Sequence, residues 1–222
     1  MTNNLFRSPQ DTNIGFLFDL DGVLIDSEKE YTKIWAEINR VFPTGLPDLP
    51  IRIKGMTLVE IIDTYFPGKQ EEVSSLLYEL ERKMKYEWLP GAHELLFWLK
   101  NNDIPTALVT SSNDIKMQHL REELPDLESL FTAIVTGDKV SKSKPDPEGY
   151  LLGADLLKCK PSNCVVFEDS LQGVKAGKAS GAYVIGIEGT LSDAIISPFS
   201  DIVIKSLKQI NVEELIRILT LR

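Results

Sequence analysis

The stretch GFLFDLDGVLIDSE, residues 15–28, sets a short apolar run directly against two carboxylates. Gly15 to Phe18 have strand character, Asp19 ends the run, and Asp21 and Gly22 follow before more apolar residues. A carboxylate is costly to bury unless its charge is compensated. Asp-Gly is also an ordinary turn pair. The stretch therefore reads either as a surface turn or as a site that needs the charge, and the rest of the chain must choose.

Working outward, five further apolar, β-branched runs follow: IPTALV (104–109), FTAIV (131–135), CVVF (164–167), AYVIGI (182–187) and DIVI (201–204). With IGFLF (14–18) they read as short, fully buried strands. Helical patterns lie between them, near 91–101, 113–123, 146–158, 170–180 and 211–220. Strand and helix in alternation predict an α/β fold, a Rossmann-like parallel sheet wrapped by helices. One region breaks the alternation. From Ser27 to Trp88 no strand pattern is present, and Tyr31, Ile34, Trp35, Ile38 and Val41 or Phe42 recur at helical spacing. TLVEIIDTYF and EEVSSLLYELERKMKYEW are also helical in pattern, and Thr57 with Glu60 fits a capping box. The expectation is a core of residues 1–26 and 89–222, with an all-helical insertion at 27–88 directly after the first strand. The Pro- and Gly-rich PTGLPDLPIRIKG inside it is expected to be an exposed loop.

The chain has 222 residues and a formal net charge of −9, which suits one domain with a modest insertion and opposes binding to nucleic acid or to anionic membranes. Its two cysteines, Cys159 and Cys164, form neither a disulfide framework nor a zinc motif, so free thiols in a reducing compartment are expected. The polar start MTNNLFRSPQDTN lacks a signal-peptide core, and no apolar run reaches membrane-spanning length. A cytoplasmic protein is expected, monomeric by default.

Ligands of open α/β sheets bind beyond the carboxyl ends of the strands. After the successive runs come Asp19 and Asp21; Thr110, Ser111, Ser112 and Asn113; a loop holding Lys144 between Ser143 and Pro145; and Glu168, Asp169 and Ser170. The fold rule gives these distant residues one address. Four carboxylates there repel: two unit charges about 4 Å apart cost about 4 kcal/mol at an effective dielectric near 20. A cation is required, and an all-oxygen donor set without Cys or His selects a hard one, Mg²⁺. Lys144 adds a positive charge, and Thr110 to Ser112 offer hydroxyl and N–H donors to an anion. That combination is suited to phosphoryl transfer. Asp19 can attack phosphorus, and Asp21, about 6.6 Å further along an extended chain on the same side, can pass protons. Alternatives stay open at this point: Ser111 and Ser112 can instead cap the following helix, with Asn113 or Asp114, and Lys144, near Lys139 and Lys142, can be a solvated loop lysine.

DLDGVLIDSE, VTSSN, SKPDP and VVFEDS, in this order, resemble the four signature motifs of the haloacid dehalogenase-like hydrolase superfamily. The helical insertion and LPGAHELLFWLK are similar to the cap, and the return from it, in the β-phosphoglucomutase and sugar-phosphatase branch. The resemblance runs from about residue 14 to 210. It implies Asp19 as nucleophile, Asp21 as general acid/base, and Thr110 and Lys144 as phosphate ligands. It also implies Mg²⁺ held by the Asp19 side chain, the Asp21 carbonyl and Asp169, with Glu168 close by. The acidic residue at Asp21 implies phosphoryl transfer, not dehalogenation. Two departures separate the chain from the mutases: Tyr31 stands where they carry a histidine in the first cap helix, and Leu58 where they carry an arginine. The expectation is a Mg²⁺-dependent phosphatase of a small phosphorylated metabolite, a sugar phosphate, with a hexose-phosphate mutase as the alternative. Ser111, Ser112, Arg52 and Lys54 are the candidate substrate contacts.

Overall fold

In the computed structural model the described residues are 14–53, 56, 58–189 and 193–221. Two compact units are present: Ser27–Tyr86, and the segments on either side of it taken together. The larger unit is built on six strands: β1 (Gly15–Phe18), β2 (Thr106–Val109), β3 (Ala133–Val135), β4 (Cys164–Glu168), β5 (Tyr183–Ile187) and β6 (Ile202–Ile204). Every pairing is parallel and the order is β3-β2-β1-β4-β5-β6. The chain moves outward to β3, then crosses back past β1 to β4. The switch point between β1 and β4 is where such sheets form a ligand crevice.

Strand periodicity sorts the core into two faces. Leu17, Ala107, Val109, Val166 and Val184 belong to one buried cluster with Tyr150, Ala154, Val174 and Ala176. The intervening residues point the other way, and there Phe18 stacks on Phe167 at 4.5 Å between ring centroids. Both faces are apolar, so the strands read as continuous hydrophobic runs.

The smaller unit contains α1 (Glu28–Val41), α2 (Leu49–Arg52), α3 (Leu58–Tyr65) and α4 (Gln70–Glu81). Ile34, Trp35 and Ile38 are the buried face of α1, and Trp35 stacks on Phe66. The apolar stripe stops there, since Val41 is exposed. Two expectations change. The PTGLPDLPIRIKG segment is not a plain exposed loop: its Leu49 and Ile53 are buried and Leu49–Arg52 forms a short helix, because two apolar side chains four apart have a core to enter. The helical pattern expected through Trp88 ends at Glu81, and Met84 and Tyr86 are buried outside a helix. The proposed Thr57 cap lies outside the described residues; the Glu60 end of it sits in the first turn of α3.

The remaining helices are α5 (Ala92–Asn101), α6 (Asp114–Glu123), α7 (Glu148–Leu156), α8 (Leu171–Ser180), α9 (Asp193–Ile196) and α10 (Val212–Thr220). The α7 helix packs along β1, β2 and β3, and α8 along β4 and β5. Helix α8 ends at Gly181, whose φ of +87° makes it a left-handed cap. Among the described residues no helix is long and apolar enough to cross a membrane. Cys159 and Cys164 are buried and form no disulfide.

Candidate active site

The strand ends gather the expected residues. The N–H of Asp19 donates to the carbonyl of Phe167 at 3.1 Å, and that of Thr110 to Val135 at 2.9 Å, so each continues its ladder by one rung. Asp19, Thr110, Glu168 and Asp169 are all buried. The surface-turn reading of Asp-Gly fails because Leu20, Val23, Leu24 and Ile25 around it are buried too, with Gly22 N–H bonded to Ile25 at 3.0 Å. Gly22 has φ +77°, and a Cβ there would lie 2.0 Å from Oδ2 of Asp169. The loop after β1 thus touches the loop after β4 through an atom that only glycine omits.

Lys144 is the centre of the electrostatics. Its Nζ donates to Oδ1 of Asp19 at 2.5 Å, to Oε1 of Glu168 at 2.5 Å and to the Val109 carbonyl at 3.2 Å. Three donors meet three acceptors from three adjacent strands. Its side chain is 13% exposed, whereas Lys139 and Lys142 are exposed, which rejects the solvated-loop reading. Burial works to lower the Lys144 pKa, but the Asp19 and Glu168 carboxylates outweigh it and hold the group above its ordinary value. For Asp19 burial dominates: with the repulsion of Glu168 and Asp21 it overrides Lys144, and the carboxyl is pushed up to about 7.

Glu168 is fully buried and fully partnered. Lys144 and the Tyr150 hydroxyl, at 2.8 Å, donate to Oε1; the Ser170 N–H and hydroxyl, at 3.1 and 3.0 Å, donate to Oε2. Ser170 also caps α8, accepting from the Gly173 N–H at 3.0 Å. A Cβ on Gly173 would fall 1.8 Å from the Glu168 carboxyl, so this glycine makes room for a charged side chain under the first turn of α8. Burial, then Glu168, push the Tyr150 pKa well above that of an ordinary phenol.

The remaining candidates fall as follows. Asn113, not Ser111 or Ser112, caps α6, its side chain accepting from the Lys116 N–H at 3.0 Å. The Ser112 N–H donates to the Thr110 hydroxyl at 3.0 Å and its own hydroxyl to Asp21 at 3.2 Å. A cavity of about 240 Å³ opens beside these groups, lined by Thr110, Ser111, Asn113, Gly137, Ser143 and Lys144. In the helical unit, Arg52 is engaged with Asp48 at 2.8 Å on an exposed helix turn, and Lys54 lies outside the described residues. That unit has its own cavity of about 380 Å³, whose walls include Trp35, Ile53, Leu58 and Leu77 and whose polar edge carries Tyr31, donating to Glu81 at 3.0 Å. A larger groove, about 560 Å³, between α5 and residues 207–213 holds none of the motif residues.

Sequence reasoning missed Tyr150 and Lys116, and placed Ser170 at the site without its role on Glu168. Tyr150 carried a faint signal, three residues beyond the SKPDP motif; a helix-start lysine such as Lys116 carries none.

A buried Lys-linked carboxylate cluster at the switch point of a parallel sheet is the site of this α/β fold, and comparison with known proteins gives its class. The family model for haloacid dehalogenase-like hydrolases matches residues 15–181. Hexitol phosphatase A of Escherichia coli K12 is 34% identical over 206 residues, covering 89% of this chain and 93% of that one. The phosphorylated carbohydrates phosphatase of Thermotoga maritima is 32% identical over 192 residues, covering 80% and 86%. A crystal structure described as a putative β-phosphoglucomutase from Thermotoga maritima superposes with a TM-score of 0.72 at 30% identity, over 93% of this chain and 98% of that one. The chain belongs to the haloacid dehalogenase-like hydrolase family and is an enzyme of its phosphoric monoester hydrolase class.

Proposed function

We propose that the protein hydrolyses the monophosphate ester of a small polyol or sugar through an aspartyl phosphate on Asp19. The observation that carries this is Lys144 joining Asp19 to Glu168 at the ends of adjacent strands, beside the Thr110–Asn113 donor turn and its cavity. The phosphatase names of the sugar- and hexitol-phosphate relatives support the substrate class.

In the first step an oxygen of Asp19 forms a bond to phosphorus while the bond to the ester oxygen breaks. Asp21 gives its proton to the departing alkoxide, which leaves as the free alcohol. Water then attacks the same phosphorus, Asp21 takes its proton, and Asp19 is released with inorganic phosphate. The donors of Thr110 and Ser111 hold the phosphoryl oxygens, and the Lys144 ammonium, held on Asp19, offsets the negative charge that moves among them.

The three buried carboxyls of Asp19, Glu168 and Asp169 offer oxygens within 4.8 Å of one another, a donor set that fits Mg²⁺. The raised Asp19 pKa registers the charge the cluster needs compensated. Both Glu168 oxygens already accept two bonds each, so the reading assigns the ion to Asp19, Asp169 and the Asp21 carbonyl, with Glu168 fixing Lys144. When bound, Mg²⁺ supplies Lewis-acid polarisation of the phosphoryl group.

The helical unit is assigned the choice of alcohol. Leu58 and Tyr31 border its cavity where the mutases carry arginine and histidine, which favours hydrolysis over phosphate transfer within a bisphosphate. The test is phosphate release from hexitol, hexose, pentose and nucleoside monophosphates with Mg²⁺, and Asp19→Asn as control. Release confined to a related group of esters and absent in the variant supports the reading. Conversion of β-glucose 1-phosphate to glucose 6-phosphate without free phosphate would replace it with the mutase.

A further inference from the structure

The pair that the phosphotransfer motifs leave unexplained is Lys116 with Asp21. The Lys116 ammonium lies 2.7 Å from Oδ1 and 2.7 Å from Oδ2 of Asp21, and the Ser112 hydroxyl donates to Oδ2 at 3.2 Å. The partners are 95 residues apart in sequence. Lys116 is the third residue of α6, and the cap bond from its N–H to Asn113 fixes its backbone. A cation in the first turn sits at the wrong end of the helix dipole, at a small cost. An ion pair with a partner 34% exposed returns little more than that in stability. Stability therefore does not account for this lysine, whereas the position of its partner does. Asp21 must deliver a proton within hydrogen-bond reach of the ester oxygen, and an unrestrained aspartate rotates freely about its side-chain bonds.

We propose that Lys116 is the positioning residue of Asp21, gripping its carboxyl group from α6 so that one oxygen stays aimed at the leaving group. The proposal rests on the reading of Asp21 as general acid/base. In the first step the Asp21 proton moves to the ester oxygen as the phosphorus–oxygen bond breaks. Lys116 bonds both oxygens of the ionised carboxylate; when Asp21 carries its proton, Oδ1 turns it to the ester while Oδ2, also held by the Ser112 hydroxyl, keeps accepting from Lys116, so the grip survives the transfer. A displacement of about 1 Å at such a group can cost 10²-fold in rate.

The experiment compares kcat/KM for two esters, sorbitol 6-phosphate and 4-nitrophenyl phosphate, in wild type, Lys116→Met, Lys116→Arg and Asp21→Asn. This constant includes only steps through formation of the aspartyl phosphate. The alkyl alcohol needs a proton to depart and the nitrophenolate does not. In Lys116→Met the sorbitol ester is expected to lose about 10–100-fold while the aryl ester stays near wild type. Lys116→Arg is expected to recover most of the loss, and the thermal midpoint of Lys116→Met to stay near that of wild type. Equal loss on both esters, with weaker inhibition by inorganic phosphate, would make Lys116 a phosphate ligand and overturn the proposal. Selective loss in Asp21→Asn without it in Lys116→Met would overturn the proposal while leaving the mechanism standing. A wild type that hydrolyses neither ester, nor any other monophosphate of the phosphate-release series, would overturn both.

Discussion

The site is made by single atoms placed or omitted. The absent Cβ of Gly173 is what lets the Glu168 carboxyl lie under α8. Gly173→Ala is expected to destabilise by about 1–3 kcal/mol, the usual range for overpacking, and to lower activity, since Glu168 must move and Lys144 with it; urea unfolding and phosphate release read the two effects. Tyr150→Phe removes one of the donors to a buried carboxylate, and hydrogen bonds to charged groups are worth about 1.5–3 kcal/mol; chemical denaturation should show a loss of that order. Asp19→Asn removes the nucleophile, so turnover should vanish while the protein stays folded.

The loops between strand and helix are the working elements. Asn113 caps α6 and so sets the height at which Lys116 meets Asp21; Ser170 caps α8 and so closes the bonds on Glu168. Asn113→Ala should cost about 1 kcal/mol as a lost N-cap and loosen α6 at the end that bears Lys116. Hydrogen exchange in the first turn of α6 would rise selectively if the element is tied down as described. These caps were only half legible. An N-cap near 113 could be read from SSND, but four consecutive cap formers offered no ground for choosing Asn113, because the choice depends on Ser112 being drawn toward a carboxylate 91 residues away.

At the scale of the whole molecule the sheet order buries Asp19 beside other carboxylates, and the cost, from burial first and repulsion second, shows as pH dependence. A carboxyl raised from 3.8 to about 7 on folding favours the protonated native state. Its contribution opposes folding progressively as pH rises from about 4 to 7 and is constant above. Lys144 keeps its charge throughout that window. Without divalent cations, the wild type should therefore lose stability relative to Asp19→Asn as pH rises from 4 to 7, read as the difference between their thermal midpoints. Adding Mg²⁺ at pH 7.5 should raise the midpoint by mass action, and Asp169→Asn should remove the increment.

The strand runs, the presence of helices and no strand pattern after the first strand, and the motif residues were legible in the sequence alone, because each depends on local periodicity or on residue chemistry that survives without coordinates. The parallel α/β core follows from that alternation. What only the tertiary structure decided is partnership: that Lys144 takes Asp19, Glu168 and Val109 together, that Tyr150 completes Glu168, and that Lys116 meets Asp21. The burial of Leu49 and Ile53 and the end of α4 at Glu81 belong here as well. Each depends on distances across the chain that strand order and helix packing create, and no local pattern encodes a distance between residues 95 positions apart.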